Sequence, residues 1–125
     1  DFAGAKVTAQ LNTFHYSVID QIPGVDKQAA MDNFPAMRVA LQAGTIDAYV
    51  SELPEAISAQ AANSDFVMVK LTDGFKASPE DTQTAVGVKK DSPLTKEINE
   101  ALKTISSEER QQIMQEAIKN QPAAE

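Results

Sequence analysis

"LQAGTIDAYVSELPEA", residues 41–56, is the stretch that decides the fold. It carries the last turn of a helix into a glycine stop, then a short apolar strand, then an acidic turn that opens another helix. A strand placed between two helices is the repeating unit of α/β proteins with parallel sheets. The stretch also poses a question. Glu52 stands at the exit of a strand whose other residues favour burial. Its carboxylate must be solvated, paired with a cation of the chain, or reserved for a cation that arrives from outside.

The same alternation extends in both directions. Upstream, "AKVTAQL" (5–11) is a short, β-branched, buried strand. "NTFHYSVIDQI" (12–22) is a helix with Val18, Ile19 and Ile22 on one face, stopped by "PG". "KQAAMD" (27–32) is a weak second strand. "NFPAMRVALQAG" (33–44) is a helix capped by Asn33, with Pro35 in its first turn, Gly44 at C′ and an apolar stripe of Phe34, Met37 and Leu41. "IDAYVS" (46–51) is the third strand and "LPEAISAQAAN" (53–63) the third helix. Downstream, "DFVMVKL" (65–71) reads as a fourth strand, "TDGFKASPEDTQ" as a loop and "TAVGVKK" (84–90) as a fifth strand. Strands that are near-continuous apolar runs point to a mostly parallel sheet with helices on both faces. Two helices close the chain. "SPLTKEINEALKTI" has Ser92 as cap, Pro93 at N1 and a face of Leu94, Ile98, Ala101, Leu102 and Ile105. "SSEERQQIMQEAIK" has the capping-box spacing Ser106 to Glu109. The tail "NQPAAE" (120–125) is polar and expected to fray.

Composition narrows the function classes. A chain of 125 residues is one compact domain by default. The net charge of −7 and the lack of a basic stripe argue against nucleic acid, whose phosphates call for clustered Lys and Arg. Without cysteine there is no disulfide frame, thiolate nucleophile or Cys-ligated zinc, which fits an exported protein. A single histidine, His15, excludes a multi-histidine metal site within one chain. No metal and no cofactor are expected. No apolar run approaches bilayer length, and no signal-peptide pattern is seen. "DFAGAKV" runs from a turn straight into a strand and reads as a segment of a longer protein.

In open α/β sheets ligands bind beyond the carboxyl ends of the strands. Two loops are expected there, "QLNTF" (10–14) and "SELP" (51–54). The first offers amides at a helix start and the Thr13 hydroxyl, which favour an anion. The second offers the Glu52 carboxylate, which favours a cation. Together they suit a zwitterion, and a free amino acid is the commonest small one. Each residue also has a plainer reading. Asn12 and Thr13 are adequate helix caps, Glu52 complements the amino end of the third helix, Ser51 is a turn residue, and Phe14 belongs either to the core or to a cleft. His15 is expected to be a partly exposed helix residue without a catalytic role.

Three segments carry a resemblance. "DFAGAKVTAQLNT" resembles the "dL-x-G-k-x-V-x-v-q-x-G-T" opening of the second lobe of bacterial amino-acid-binding proteins of ABC transporters (the type II periplasmic-binding-protein family, family 3 of the solute-binding proteins). "NFPAMRVALQAGTIDAYVSELPEA" resembles the later signature of that lobe, a helix ending in "aL-x-x-G-x-i-D-a", a buried strand and an acidic residue. "AVGVKKDSPLTKEINEALKTI" resembles the return segment "yGIAv-kg-pel---vN-AL--l". The matches keep the family's order and span residues 1 to about 105.

The resemblance implies two α/β lobes that close on an amino acid. It implies that Thr13 helps hold the ligand carboxylate and that Glu52 binds the α-ammonium. Gln10, Asn12, Phe14 and Ser51 complete the expected ligand-binding set, with no catalytic residue. The chain departs from the family at Asn12, where glycine is usual, at Glu52, where aspartate is usual, and at Phe14, which replaces a small polar residue. It further implies an extracytoplasmic location, as a cell-surface lipoprotein or in the periplasm, and three partners: a free amino acid, a first lobe and an ABC permease.

On this reading residues 1–77 form the lobe-two α/β domain. Residues 78–84 are a hinge-like segment, and 85–119 are a strand and two helices that return to the first lobe. Strand order is expected as 2-1-3-5-4 with strand five antiparallel. Residues 84–90 fill the fourth slot, from the same chain or exchanged with a second copy as a homodimer. Two alternatives stand beside this reading: an enzyme on the same scaffold, such as a dehydratase, and a plain α/β interaction domain.

Overall fold

A computed structural model of the chain describes residues 1–120. The expected tail therefore lies outside the described residues from 121 onward. The chain divides into two compact units, Asp1–Thr82 and Gln83–Glu125. No described helix is long and apolar enough to cross a membrane.

The first unit is α/β. Its sheet has three parallel strands, β1 (Lys6–Ala9), β2 (Asp26–Lys27) and β3 (Ala48–Val50), in the order β2-β1-β3. β1 is central. Val7 lies opposite Lys27 on one side and Ala48 on the other, and Thr8 and Ala9 lie opposite Tyr49 and Val50. Val7, Thr8 and Ala9 are all buried, so both faces of β1 are covered, as a central parallel strand requires. Val7, Ala9 and Ile19 form the centre of the core, with Tyr16, Ile22, Val25, Ala48 and Val50 packed around them.

The first helical segment is shorter than its sequence span. α1 covers Phe14–Val18 and tightens into a 3-10 turn over Ile19–Gln21. The Ser17 hydroxyl donates to the Phe14 carbonyl at 2.7 Å, and β-branched Val18 and Ile19 follow. Both features weaken α-helix continuation. The tightened turn nevertheless sends Val18 and Ile19 inward.

Strand two is also cut short, for a legible reason. The amides of Asp26, Gln28 and Met31 donate to the carbonyls of Ala5, Val7 and Ala9. The acceptors advance by two residues each time, but the last donor advances by three. One extra residue therefore bulges out near Ala29 and Ala30. The Thr8 hydroxyl takes up the Ala29 carbonyl at 2.7 Å, which satisfies a polar group inside the core. Beyond the bulge only a single bridge, Gln10 to Met31, remains.

α2 (Phe34–Gln42) has the ends its sequence prescribes. Asn33 Oδ1 accepts from the Ala36 amide at 2.9 Å, Pro35 lies in the first turn, and Gly44 follows at φ +69°. Met37 is its buried anchor. α3 (Leu53–Ala62) begins directly after β3, with Glu52 at its N-cap position and Ala59 buried.

The five-strand sheet is corrected to three strands. Residues 65–71 form no strand, and Val67 and Val69 are 79% and 59% exposed. Their apolar, β-branched composition favours extension, but a strand exists only where a neighbour's edge accepts it. A four-residue helix, α4 (Pro79–Thr82), ends the unit.

In the second unit residues 84–90 form no strand either, and no strand occurs among its described residues. Without a sheet edge beside it, this segment leaves Val86 and Val88 exposed. The unit holds α5 (Leu94–Lys103) and α6 (Ser107–Lys119). Pro93 takes the N-cap position of α5, so the helix begins one residue later than expected, while Ser92 Oγ accepts from the Leu94 amide. Ser106 Oγ accepts from the Glu109 amide at 3.1 Å. The Arg110 guanidinium donates to the carbonyls of Leu102 and Ile105, closing the end of α5. None of the described residues of this unit is buried.

Candidate functional site

The turns after β1 and β3 lie side by side, because the two strands are parallel neighbours. After β1 the chain passes Gln10 and Leu11 and reaches Asn12, whose φ of +59° is left-handed. Asparagine accepts this conformation at lower cost than most residues. Thr13 then takes the N-cap position of α1, but its side chain does not cap the helix. Its hydroxyl donates backward to the Gln10 carbonyl at 2.7 Å, which pins the turn. The Gln10 amide nitrogen donates to the Asp32 carbonyl at 3.1 Å, toward the β2 side. The Phe14 ring sits 5.6 Å from the ring of His15, centroid to centroid, and tilted to it.

After β3 the Ser51 hydroxyl donates to the Glu52 carbonyl at 3.3 Å. Glu52 makes no side-chain cap to α3. Its carboxylate points instead toward α1, with Oε2 3.6 Å from Nε2 of His15. The His15 and Glu52 side chains are 24% and 49% exposed. The group that faces Glu52 is therefore one the chain itself supplies. Thr13, Phe14, Ser51 and Glu52 are thus grouped about two adjacent turns, while the Gln10 side chain is turned away from them.

A second cluster braces this corner. Arg38 of α2 grips Glu55 of α3 with two parallel bonds, Nε to Oε1 at 3.0 Å and Nη2 to Oε2 at 2.8 Å. The Tyr49 hydroxyl of β3 donates to the same Oε1 at 3.3 Å. The fork ties two helices and the edge strand together one turn from Glu52. Such bidentate geometry is what a planar guanidinium is built for. No local spacing announces the pair, since the partners stand 17 residues apart.

Burial, and then the Glu55 charge, push the Tyr49 hydroxyl above its ordinary pKa. The fold thus favours neutral tyrosine. That contribution to stability is fully present below about pH 10 and is lost as pH rises through the folded-state value. Urea unfolding between pH 9 and pH 12 should therefore show a steeper loss for the wild type than for Tyr49→Phe. Equal slopes would remove the linkage.

Among the described residues no three His, Asp or Glu side chains cluster to hold a metal ion. No family model matches the sequence, and neither a curated protein nor a solved structure matches it.

Proposed function

We propose that this chain is one lobe of an extracytoplasmic solute-binding protein that receives a free amino acid and delivers it to an ABC permease. The observation that carries the reading is the convergence of the Thr13 turn and the Glu52 carboxylate on adjacent ends of parallel β1 and β3. The turn presents backbone amide dipoles suited to a carboxylate, its Thr13 hydroxyl being spent on the Gln10 carbonyl, and Glu52 suits an ammonium. Asn12, Phe14 and Ser51 line the same two turns. A first lobe supplies the remaining contacts and closes over the ligand. The three-segment resemblance in the sequence points the same way. On this proposal the protein works on the outer side of the membrane, as a lipoprotein or in the periplasm.

The test is calorimetric titration of the twenty amino acids into the two-lobed protein. One amino acid should bind, and Glu52→Ala should weaken it about tenfold or more, since an enclosed ammonium loses its partner. The present chain alone should bind weakly, because an open site leaves the pair in high dielectric. Heat of binding from none of the twenty would remove the reading.

The His15–Glu52 pair supports one other reading, an enzyme on this scaffold with His15 as base and Glu52 orienting it. Mass spectrometry of recovered ligand separates the two. An unchanged ligand favours the receptor; a changed one, lost with His15→Gln, favours the enzyme.

A further inference from the structure

β3 ends the sheet, and its outer edge is open. The Asp47 amide donates to the Lys6 carbonyl of β1 at 2.8 Å. Backbone direction alternates along a strand, so Ala48 and Val50 turn their N–H and C=O groups outward. A cleft of about 740 Å³ borders this edge and reaches over the sheet face to Phe2, Val7 and Ile22. Its walls include Tyr49, Val50 and Leu53 on one side and Phe66, Met68 and Phe75 on the other. All of these belong to the first unit. An unpaired strand edge beside an apolar trough accepts one thing readily, another extended strand.

We infer that the cleft takes residues 84–90, "TAVGVKK", of a second copy of this chain, as an added strand antiparallel to β3. The segment lies outside any sheet, and its valines at alternate positions are exposed. Setting Gly87 opposite Tyr49 gives the bulkiest β3 side chain the smallest partner. Val88 then faces Ala48, Val86 faces Val50, and Lys89 faces Asp47, whose exposed carboxylate also accepts from the Lys6 amide. Opposite charges and apolar side chains directly across an antiparallel pair both stabilise it. A slip of one residue sets Lys89 against Ala48 and Val86 against Ser51, so this register is distinguished from its neighbours. Two copies exchange segments reciprocally, each closing the other's edge, which makes a two-fold dimer.

The chain has no cysteine, so introduced thiols report the pairing cleanly. Sedimentation equilibrium of the 125-residue chain should show reversible dimers of the 13.5 kDa protomer. Val88→Pro removes a ladder donor and should weaken the dimer at least about tenfold, with unchanged helical circular dichroism. Oxidising a mixture of Ala48→Cys chains with Val88→Cys chains should yield the mixed disulfide. A chain that stays monomeric to millimolar concentration overturns the proposal. So does a dimer indifferent to Val88→Pro. Closure by the chain's own segment, seen as an internal disulfide in dilute Ala48→Cys/Val88→Cys, overturns it too. Cross-linking of Ala48→Cys to Val86→Cys alone overturns the antiparallel register.

Discussion

Ile19→Ala lowers the unfolding free energy by about 3–5 kcal/mol, toward the top of the range for a buried isoleucine. Ile19 is fully buried in the 3-10 turn and packs with the two buried apolar residues of β1, Val7 and Ala9. Two effects add. The lost methylene and methyl groups forfeit transfer energy, and the cavity they leave cannot collapse easily. One wall is the central strand, held on both sides by ladder bonds, and the other is a tightened turn. The core has little redundancy, because few apolar side chains among the described residues are buried at all. A loss of this size is a large share of the stability of an ordinary domain. Urea denaturation measures it, with exposed Ile113→Ala as the near-neutral control. A cost below about 1 kcal/mol would mean that Ile19 does not sit where the core is.

Arg38→Ala costs about 2–3 kcal/mol, somewhat below the usual figure for breaking a buried pair, because the site is not fully dry. The Glu55 side chain is only 11% exposed, and Arg38 is 22% exposed. Without the guanidinium, Glu55 keeps one hydroxyl donor, from Tyr49, for two carboxylate oxygens. The loss therefore comes from a stranded charge rather than from missing attraction. That distinction is measurable. Arg38→Ala/Glu55→Ala should cost less than the sum of the single changes by more than about 1 kcal/mol. Additive costs in the double-mutant cycle would show the fork to be energetically idle.

Local signals and long-range ones differ in how they are written in this sequence. The ends of α2 were legible, because a cap and a left-handed glycine act within a few residues: Asn33 reaches Ala36, and Gly44 needs only its own φ. The parallel relation of β1 and β3 was legible from the strand–helix order. What failed was existence of partners. "DFVMVKL" and "TAVGVKK" have strand composition, but composition states what a segment tolerates and not whether an edge receives it. The bulge in β2 escaped for a related reason. It depends on the Thr8 hydroxyl meeting the Ala29 carbonyl, a contact that no spacing rule contains. At the candidate site, Thr13 and Glu52 could be assigned to neighbouring strand ends, whereas the reach of His15 to Glu52 depends on how α1 leaves its turn.

β1 lies in the middle of the sheet although it is the first of the three strands in chain order. Every ladder bond it makes joins it to a strand synthesised later. The loop closed on pairing with β3 is about twice that closed on pairing with β2, and the longer closure costs only about 0.6 kcal/mol more. Entropy thus barely separates the two pairings; the ribosome does. As the chain emerges, Val7 and Ala9 meet β2 first and wait through all of α2 for β3. During that interval one side of an apolar strand has no partner. β1 is accordingly a stretch that a nascent-chain chaperone can hold during that wait.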